Sequence, residues 1–262
     1  MQLTFLGTGS AMPTGRRFQS GYLLSDGDDR LLVDCGSGVL HALQRTDAGY
    51  EGIDAVLLTH HHLDHVSDLD VLMKARWLAG ATDLEIAGPP GTEELVTDLL
   101  DVHEYMQDRL DLTLRDVQGS FSIAGFDVDS RETRHSMQCL AYRIGPEGGA
   151  QSVVLSGDSE AFEGLIEFAD GTGVLVHDCS FPDDVDVSNH PTPSQLGTVL
   201  AAADADLGRV YLSHLYPHTE GRHEEMLDSI GKRYDGDIRV AEDGLAVTVE
   251  APADAEGERV GD

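Results

Sequence analysis

The chain has 262 residues, of which 48 are acidic and 17 basic, giving a formal charge of −31. That balance excludes a basic nucleic-acid cradle. Hydrophobic residues make up 40%, yet no apolar run approaches the roughly 18 residues a membrane span needs, and no basic-then-apolar leader opens the chain, so a soluble, leaderless protein with no membrane partner is expected.

Short strands are predicted at Leu3–Leu6, Tyr22–Leu24, Leu31–Val33 and Ala55–Leu58, separated by Gly/Asp turns or by a helical stretch near Val39–Arg45. Helical periods then cover Val66–Leu78, Glu93–Gln107, Ala161–Phe168, Ser194–Ala203 and Arg222–Lys232. Apolar strands at Val153–Leu155, Val174–Val176 and Val210–Leu212 lie between the later ones. Hairpins followed by strand–helix alternation, in both halves of the chain, predict an α/β protein with sheet packed on sheet and helices outside. No exact repeat and no Pro/Ser-rich linker divides it. A single domain over residues 1–250 is expected, with the charged, small-residue stretch 251–262 as a disordered tail.

The acidic residues are 31 Asp against 17 Glu, and only two lysines, Lys74 and Lys232, occur among the basic ones. This resembles a halophile's surface: in molar salt the Debye length falls to about 3 Å and repulsion between surface carboxylates is screened. Cys35, Cys139 and Cys179 are odd in number and lack CxxC spacing. They argue against a disulfide framework or a four-cysteine zinc site, and they fit a reducing cytoplasm.

Four of the twelve histidines fall within six residues, in Thr59-His60-His61-His62-Leu63-Asp64-His65, directly after the strand ending at Leu58. Imidazole nitrogen and carboxylate oxygen suit zinc. In an extended turn, His60 and His62 point one way, while Asp64 and His65, turning into the next helix, can reach a second metal nearby. Asp64 or a neighbour can also cap the helix beginning near Val66.

This H-x-H-x-D-H signature resembles that of the metallo-β-lactamase fold superfamily. The resemblance continues along the chain: Asp34 in Leu-Leu-Val-Asp-Cys-Gly, His135 in Arg-His-Ser, Asp158 in Leu-Ser-Gly-Asp-Ser and His214 in Leu-Ser-His-Leu follow the family's order over about 180 residues. It implies a four-layer αβ/βα sandwich and two zinc ions, although His/Asp ligation without Cys also accepts manganese or iron. By the same resemblance His60, His62 and His135 hold one ion, Asp64, His65 and His214 the other, and Asp158 bridges them. Asp34 would orient a zinc histidine or its turn. A zinc-bound water with its pKa lowered to about 7 would supply hydroxide, and the metal pair would clamp both oxygens of an in-line displacement.

The opening Phe-Leu-Gly-Thr-Gly-Ser-Ala-Met-Pro-Thr-Gly-Arg-Arg resembles the start of the tRNase Z-like phosphodiesterase branch, with Phe18 where Asn is usual. It is no dinucleotide fingerprint, since Met12 stands where the third glycine belongs. Val176-His177-Asp178-Cys179-Ser180 resembles that branch's H-E-A-T segment, and His190-Pro191-Thr192-Pro193 is another familiar element. The resemblance implies proton transfer by Asp64 and by His177, with Asp178 orienting His177 through a carboxylate one methylene short and His190 in support. Dedicated tRNA-processing members carry a long arm between the third histidine motif and the bridging aspartate. Here His135 and Asp158 are only 23 residues apart, which leaves room for a strand, a turn and a strand. RNA is therefore disfavoured as a partner, and a small anionic ester, a phosphodiester or cyclic phosphate of nucleotide size, is the expected substrate. The alternatives are an arm-less ribonuclease Z-like endoribonuclease and a lactone, thioester or sulfate-ester hydrolase on the same metal pair. Relatives are often homodimers, so a homodimer is also implied by analogy.

Overall fold

The computed structural model describes residues 1–250; the expected tail, 251–262, lies outside the described residues. The first sheet is built from β1 (Gln2–Gly7), β2 (Gly21–Asp26), β3 (Asp29–Val33), β4 (Ala55–Leu57), β5 (Asp83–Gly88) and β6 (Asp111–Asp116). The second holds β7 (Ser120–Ile123), β8 (Phe126–Glu132), β9 (Leu140–Pro146), β10 (Val153–Leu155), β11 (Thr172–Asp178), β12 (Leu207–Ser213) and β13 (Asp237–Val240). The last strand, β14 (Ala246–Thr248), returns to the first sheet and pairs with β1. Each sheet is half antiparallel and half parallel: β1–β3 form a meander and β3–β6 run parallel, just as β7–β10 form a meander and β10–β13 run parallel.

Strands covered on both sides need apolar residues at every position. Val153-Val154-Leu155 shows this: Val153 and Leu155 enter the core between the sheets, while Val154 joins the outer layer of the second sheet. That inner core is centred on Phe5, Tyr142 and Tyr211. Helices α1 (Val39–Leu43), α2 (Leu63–Val66), α3 (Leu69–Ala79) and α4 (Thr92–Val102) accompany the first sheet; Val39, Leu43, Val66, Leu72 and Val96 join its outer apolar layer. Helices α5 (Glu163–Phe168), α6 (Pro193–Ala202) and α7 (His223–Gly231) cover the second with Ile166, Leu196, Leu200, Met226 and Ile230. Three apolar layers thus separate four structural layers, the expected αβ/βα sandwich.

The helix expected over Val66–Leu78 is interrupted. The Asp68 N–H donates to the Cys35 carbonyl (2.9 Å), outside its own helix, and the Asp68 carboxylate accepts from the N–H groups of Gly38 and Leu40 (2.9 and 3.0 Å). Asp64 does not cap: α2 begins at Leu63, and Asp64 sits inside its first turn. The loop after β3 crosses α2 closely, because a Cβ on Gly36 would lie 2.0 Å from the Asp64 carbonyl oxygen. Only glycine permits that approach. The segment expected over Glu93–Gln107 ends as α4 at Val102, with a short 3-10 turn at Glu104–Met106.

Candidate metal centre

The carboxyl ends of the parallel strands meet at one edge of the sandwich, where open α/β sheets bind their ligands. Asp34 follows β3, His60, His62, Asp64 and His65 follow β4, Asp158 follows β10, Asp178 ends β11 and His214 follows β12. Asp34 and His214 both have left-handed backbones (φ 60° and 58°). Non-glycine residues adopt that region at a cost of order 1–3 kcal/mol. At both positions the loop turns a polar side chain into the site instead of continuing the strand.

Two groups of side chains converge. In the first, His62 Nδ1 lies 3.0 Å from His60 Nε2 and 3.1 Å from His135 Nε2, and the Asp158 Oδ2 atom is 3.6 and 3.7 Å from those two Nε2 atoms. In the second, Asp64 Oδ2 is 3.0 Å from His214 Nε2 and 3.8 Å from His65 Nε2. Asp158 reaches this group as well, at 3.3 Å from each imidazole. All seven expected ligands are brought together, with Asp158 common to both groups.

The outer nitrogens explain why the inner ones are free. His65 Nδ1–H donates to Asp34 Oδ2 (2.7 Å), while Thr59 donates its hydroxyl to the same carboxylate (2.8 Å) and accepts from His60 Nδ1 (3.1 Å). His214 Nδ1–H donates to Ser180 Oγ (2.9 Å), which donates to Asp178 Oδ1 (2.6 Å); His135 Nδ1–H donates to the Asn189 carbonyl (3.3 Å). With Nδ1 protonated, His60, His65, His135 and His214 each present an Nε2 lone pair to the centre, whereas His62 faces it through Nδ1. His65 Nε2 and Asp158 Oδ1 are fully buried and face each other at 3.3 Å without making a well-formed hydrogen bond to any group. Buried atoms of this kind are rare unless something else binds them. Converging lone pairs and an orphaned carboxylate oxygen fit divalent cations, and the all-His/Asp donor set fits zinc, manganese or iron.

Electrostatics divide the cluster: burial would lower His65 and His214, but Asp158 with Asp34 pushes His65 well above its ordinary pKa and Asp158 with Asp64 raises His214, so a cation would displace protons there. Burial, followed by the neighbouring His65, holds His60 well below its ordinary pKa, in the neutral form that coordinates. Burial would raise the Asp158 carboxyl, but His214, His65 and His60 overcome it and keep the group well below the usual carboxylate range.

The structure corrects the placement of His177. Along β11, Val174, Val176 and Asp178 point inward, so Leu175, His177 and Cys179 point to the opposite face; Leu175 and Cys179 indeed lie in the outer apolar layer. His177 is fully buried, and its Nδ1–H bonds only the Asp178 carbonyl (2.7 Å). The histidine beside the cluster is His190, whose ring stacks on His214 at 5.3 Å and which lies with Asp158 and His214 as a third potential metal-holding group. Asp178 orients His190 and not His177, accepting its Nδ1–H at 2.6 Å, so the shorter carboxylate still reaches. Burial alone would lower the His190 pKa, but the Asp178 carboxylate pushes it up to about 9. Sequence reasoning missed Thr59 and Ser180, the hydroxyls that relay Asp34 and Asp178 to the imidazoles, and Tyr216, a half-buried ring edge-on to both His190 (5.9 Å) and His214 (5.8 Å) and stacked on Phe181 (4.4 Å). A hydroxyl adjoining a ligand motif, as at Thr59-His60, was the available signal for the first.

Residues 1–226 match the family model described as anti-Pycsar protein Apyc1. Ribonuclease Z of Mycolicibacterium paratuberculosis is 31% identical over 97% of this chain and 100% of its own. Among solved structures, the metallo-β-lactamase fold protein YhfI of Bacillus subtilis superposes with a TM-score of 0.80 at 27% identity, covering 94% of this chain and 99% of that one. The short form of human tRNase Z shares the fold, with a TM-score of 0.77 at 20% identity over 95% and 100% of the two chains. No helix among the described residues is long and apolar enough to cross a membrane. The chain belongs to the anti-Pycsar Apyc1 family within the ribonuclease Z-like branch of the metallo-β-lactamase superfamily, and it is a metal-dependent hydrolase.

Proposed function

We propose that the chain is a dinuclear zinc-dependent phosphodiesterase acting on a nucleotide-sized phosphodiester or cyclic phosphate. The observation that carries this reading is the Asp158 carboxylate standing between two imidazole groups with the Asp178–His190 pair at their edge. His60, His62 and His135 would hold one ion and Asp64, His65 and His214 the other, with Asp158 shared. When bound, two such cations supply Lewis acidity toward phosphoryl oxygens and make hydroxide available near neutral pH. His190 gives its Nδ1 proton's hydrogen bond to Asp178, which leaves Nε2–H to protonate the departing alkoxide. Asp64 takes up the proton lost by the attacking water. The relatives' name, ribonuclease, supports the bond class, since RNA is a phosphodiester. The test is hydrolysis of bis-p-nitrophenyl phosphate, expected with zinc or manganese and abolished by a chelator or by Asp64→Ala. Turnover persisting in metal-free Asp64→Ala protein would remove the basis of the reading.

A second reading, tRNA 3′-end processing, is favoured by the same name. Against it, β9, a turn and β10 occupy the short interval from His135 to Asp158, leaving no arm to grip a tRNA. Cleavage of a 3′-extended pre-tRNA in high salt decides: intact precursor beside full activity on the chromogenic ester disposes of this reading.

A further inference from the structure

Tyr216 stands against the reacting cluster on a rigid mount. It follows His214 by two residues, in the segment that leaves β12, and the chain on either side of it is fixed. The Leu215 N–H donates to the Thr8 carbonyl (2.9 Å), the Tyr216 N–H to the Ser180 carbonyl (3.3 Å) and the Thr219 N–H to the Tyr216 carbonyl (3.0 Å). Pro217 restricts the residue before it to extended backbone, and Tyr216 has φ −77° and ψ 161°. The ring is held as well. Phe181 covers it at 4.4 Å and 28°, and it meets His214 and His190 edge-on at 5.8 and 5.9 Å. One of those imidazoles belongs to the group of Asp64 and His65, and the other is the proposed proton donor.

The phenol oxygen is the open end of this arrangement. Inside the core, Tyr22 shares a hydrogen bond with the Ser213 hydroxyl (2.8 Å) and Tyr142 donates to the Leu58 carbonyl (2.9 Å). Tyr216, half-buried, makes its hydrogen bonds among the described residues through its backbone alone. An ordinary phenol pKa of about 10 keeps the proton on its oxygen at neutral pH. Burial, and after it the charges of Asp64, Asp158 and Asp178, push that pKa up to about 12. Those three carboxylates belong to the cluster and its His190 edge, so the oxygen lies on that side of the ring. Two further hydroxyls of the cluster are committed, Thr59 to Asp34 and Ser180 to Asp178. In a phosphoryl transfer, charge spreads over the oxygens that neither attack nor leave. His190 and Asp64 serve the leaving and attacking oxygens. A donor on a rigid ring at the same edge suits the remaining ones, because it needs no reorientation as charge builds.

We propose that Tyr216 is a substrate-binding residue whose hydroxyl donates to a non-bridging oxygen of the phosphoryl group undergoing displacement. This rests on the phosphodiesterase reading and adds to it a donor for the oxygens that His190 and Asp64 do not serve. Tyr216→Phe keeps the ring and its stack on Phe181. It is expected to lower kcat/KM for bis-p-nitrophenyl phosphate by about ten- to a hundredfold, as one hydrogen bond to a charged group provides, with metal content, Tm and pH profile unchanged. Thymidine 5′-(p-nitrophenyl phosphate) should lose as much, since the two esters share the phosphoryl group; a loss confined to the nucleoside ester would assign Tyr216 to the nucleoside and overturn the proposal. The Rp and Sp phosphorothioates of the nucleoside ester separate contact from scaffolding. Sulfur accepts hydrogen bonds weakly, so Tyr216→Phe should slow one diastereomer far less than the oxygen ester and the other as much. Equal slowing of all three, a shifted pH profile or lost metal would show that the ring only positions His190 and His214, and wild-type activity would show that the hydroxyl contributes nothing; each overturns the proposal. Failure of the phosphodiesterase reading is distinguishable, because no ester would then turn over in the wild type. Inorganic phosphate, titrated by calorimetry into the zinc-loaded proteins, still tests the hydroxyl in that event. Binding about tenfold weaker in Tyr216→Phe supports the contact, and equal affinity, or no binding to either protein, refutes it.

Discussion

His190 draws its character from Asp178, which accepts its Nδ1–H at 2.6 Å and pushes its pKa up to about 9 against the effect of burial, a shift toward the protonated ring that the proposed general acid needs. General acids of this kind contribute about 10²–10⁴-fold. His190→Asn and Asp178→Asn are therefore expected to lower kcat on bis-p-nitrophenyl phosphate by about that factor with metal content unchanged. His177→Gln should leave kcat of the folded protein unchanged, because its ring faces the outer layer. Side-by-side kcat and metal analysis of the three variants checks this, and a collapse of His177→Gln at full metal content would restore His177 to the reaction. The converging His and Asp side chains were legible in the sequence because each lies in a short segment whose chemistry is local, such as His60-His61-His62-Leu63-Asp64-His65. The proposed proton donor was not. Which of two histidines enters the site depends on strand alternation at β11 and on a loop that returns His190 to the cluster, and neither is written in the motif.

Elements with unbroken apolar runs were read correctly, as at β10, or nearly so, as at β11 and β12. Those that escaped were β5 to β8 and β13, whose Asp, Glu and Ser residues face water on one side or lie at sheet edges, and β14, a three-residue edge strand; β6 reads Asp-Leu-Thr-Leu-Arg-Asp with no residue fully buried. The break between α2 and α3 was equally invisible, since it depends on the Cys35 carbonyl from a distant loop. The segment that carries His190 has its own anchor: Asp183 accepts the Ser194 N–H at the start of α6 (2.8 Å) and the Ser229 hydroxyl of α7. Partial burial would raise the Asp183 carboxyl, but the Ser229 and Ser194 bonds lower it below the ordinary value of 3.8. A carboxyl depressed in the folded state contributes stability above its unfolded pKa and loses it as pH falls through the folded value. Asp183→Asn is thus expected to lower Tm at pH 7, with the gap from wild type closing below about pH 4. Thermal scans from pH 3 to 7 measure it; a gap that stays constant across that range would show that the carboxylate's charge is not the anchor.

At the level of the whole chain, two ionic terms act in opposite directions. The cluster gathers Asp64 and Asp158 with five imidazoles at one edge shared by both sheets, so cations bound there tie the two halves together. Ligands at about a thousand times their Kd stabilise by about 4 kcal/mol, and in a chain of this size each kcal/mol moves Tm by about 2–4 °C. Exhaustive chelation should accordingly lower Tm by about 8–16 °C, and readdition of zinc should recover it; an unchanged Tm would mean that the ions contribute nothing to folding. The second term is the net charge of −31. With the three apolar layers closed, most of the 48 carboxylates lie outside them, where they repel one another, and the 17 basic residues are too few to pair them all. Salt reduces the range of that repulsion from about 10 Å at 0.1 M to about 3 Å at 1 M, shorter than the spacing of most surface charges. Because unfolding spreads the same charges over a larger volume, screening favours the folded state. Tm is expected to climb between 0.1 and 1 M KCl and then to flatten, with activity following the same curve at the assay temperature. Sucrose at matched osmolarity, which screens nothing, should not reproduce the steep portion. A flat Tm over that range of KCl would mean that the acidic surface is already relieved by its own geometry, and the likeness to halophile proteins would then be one of composition alone.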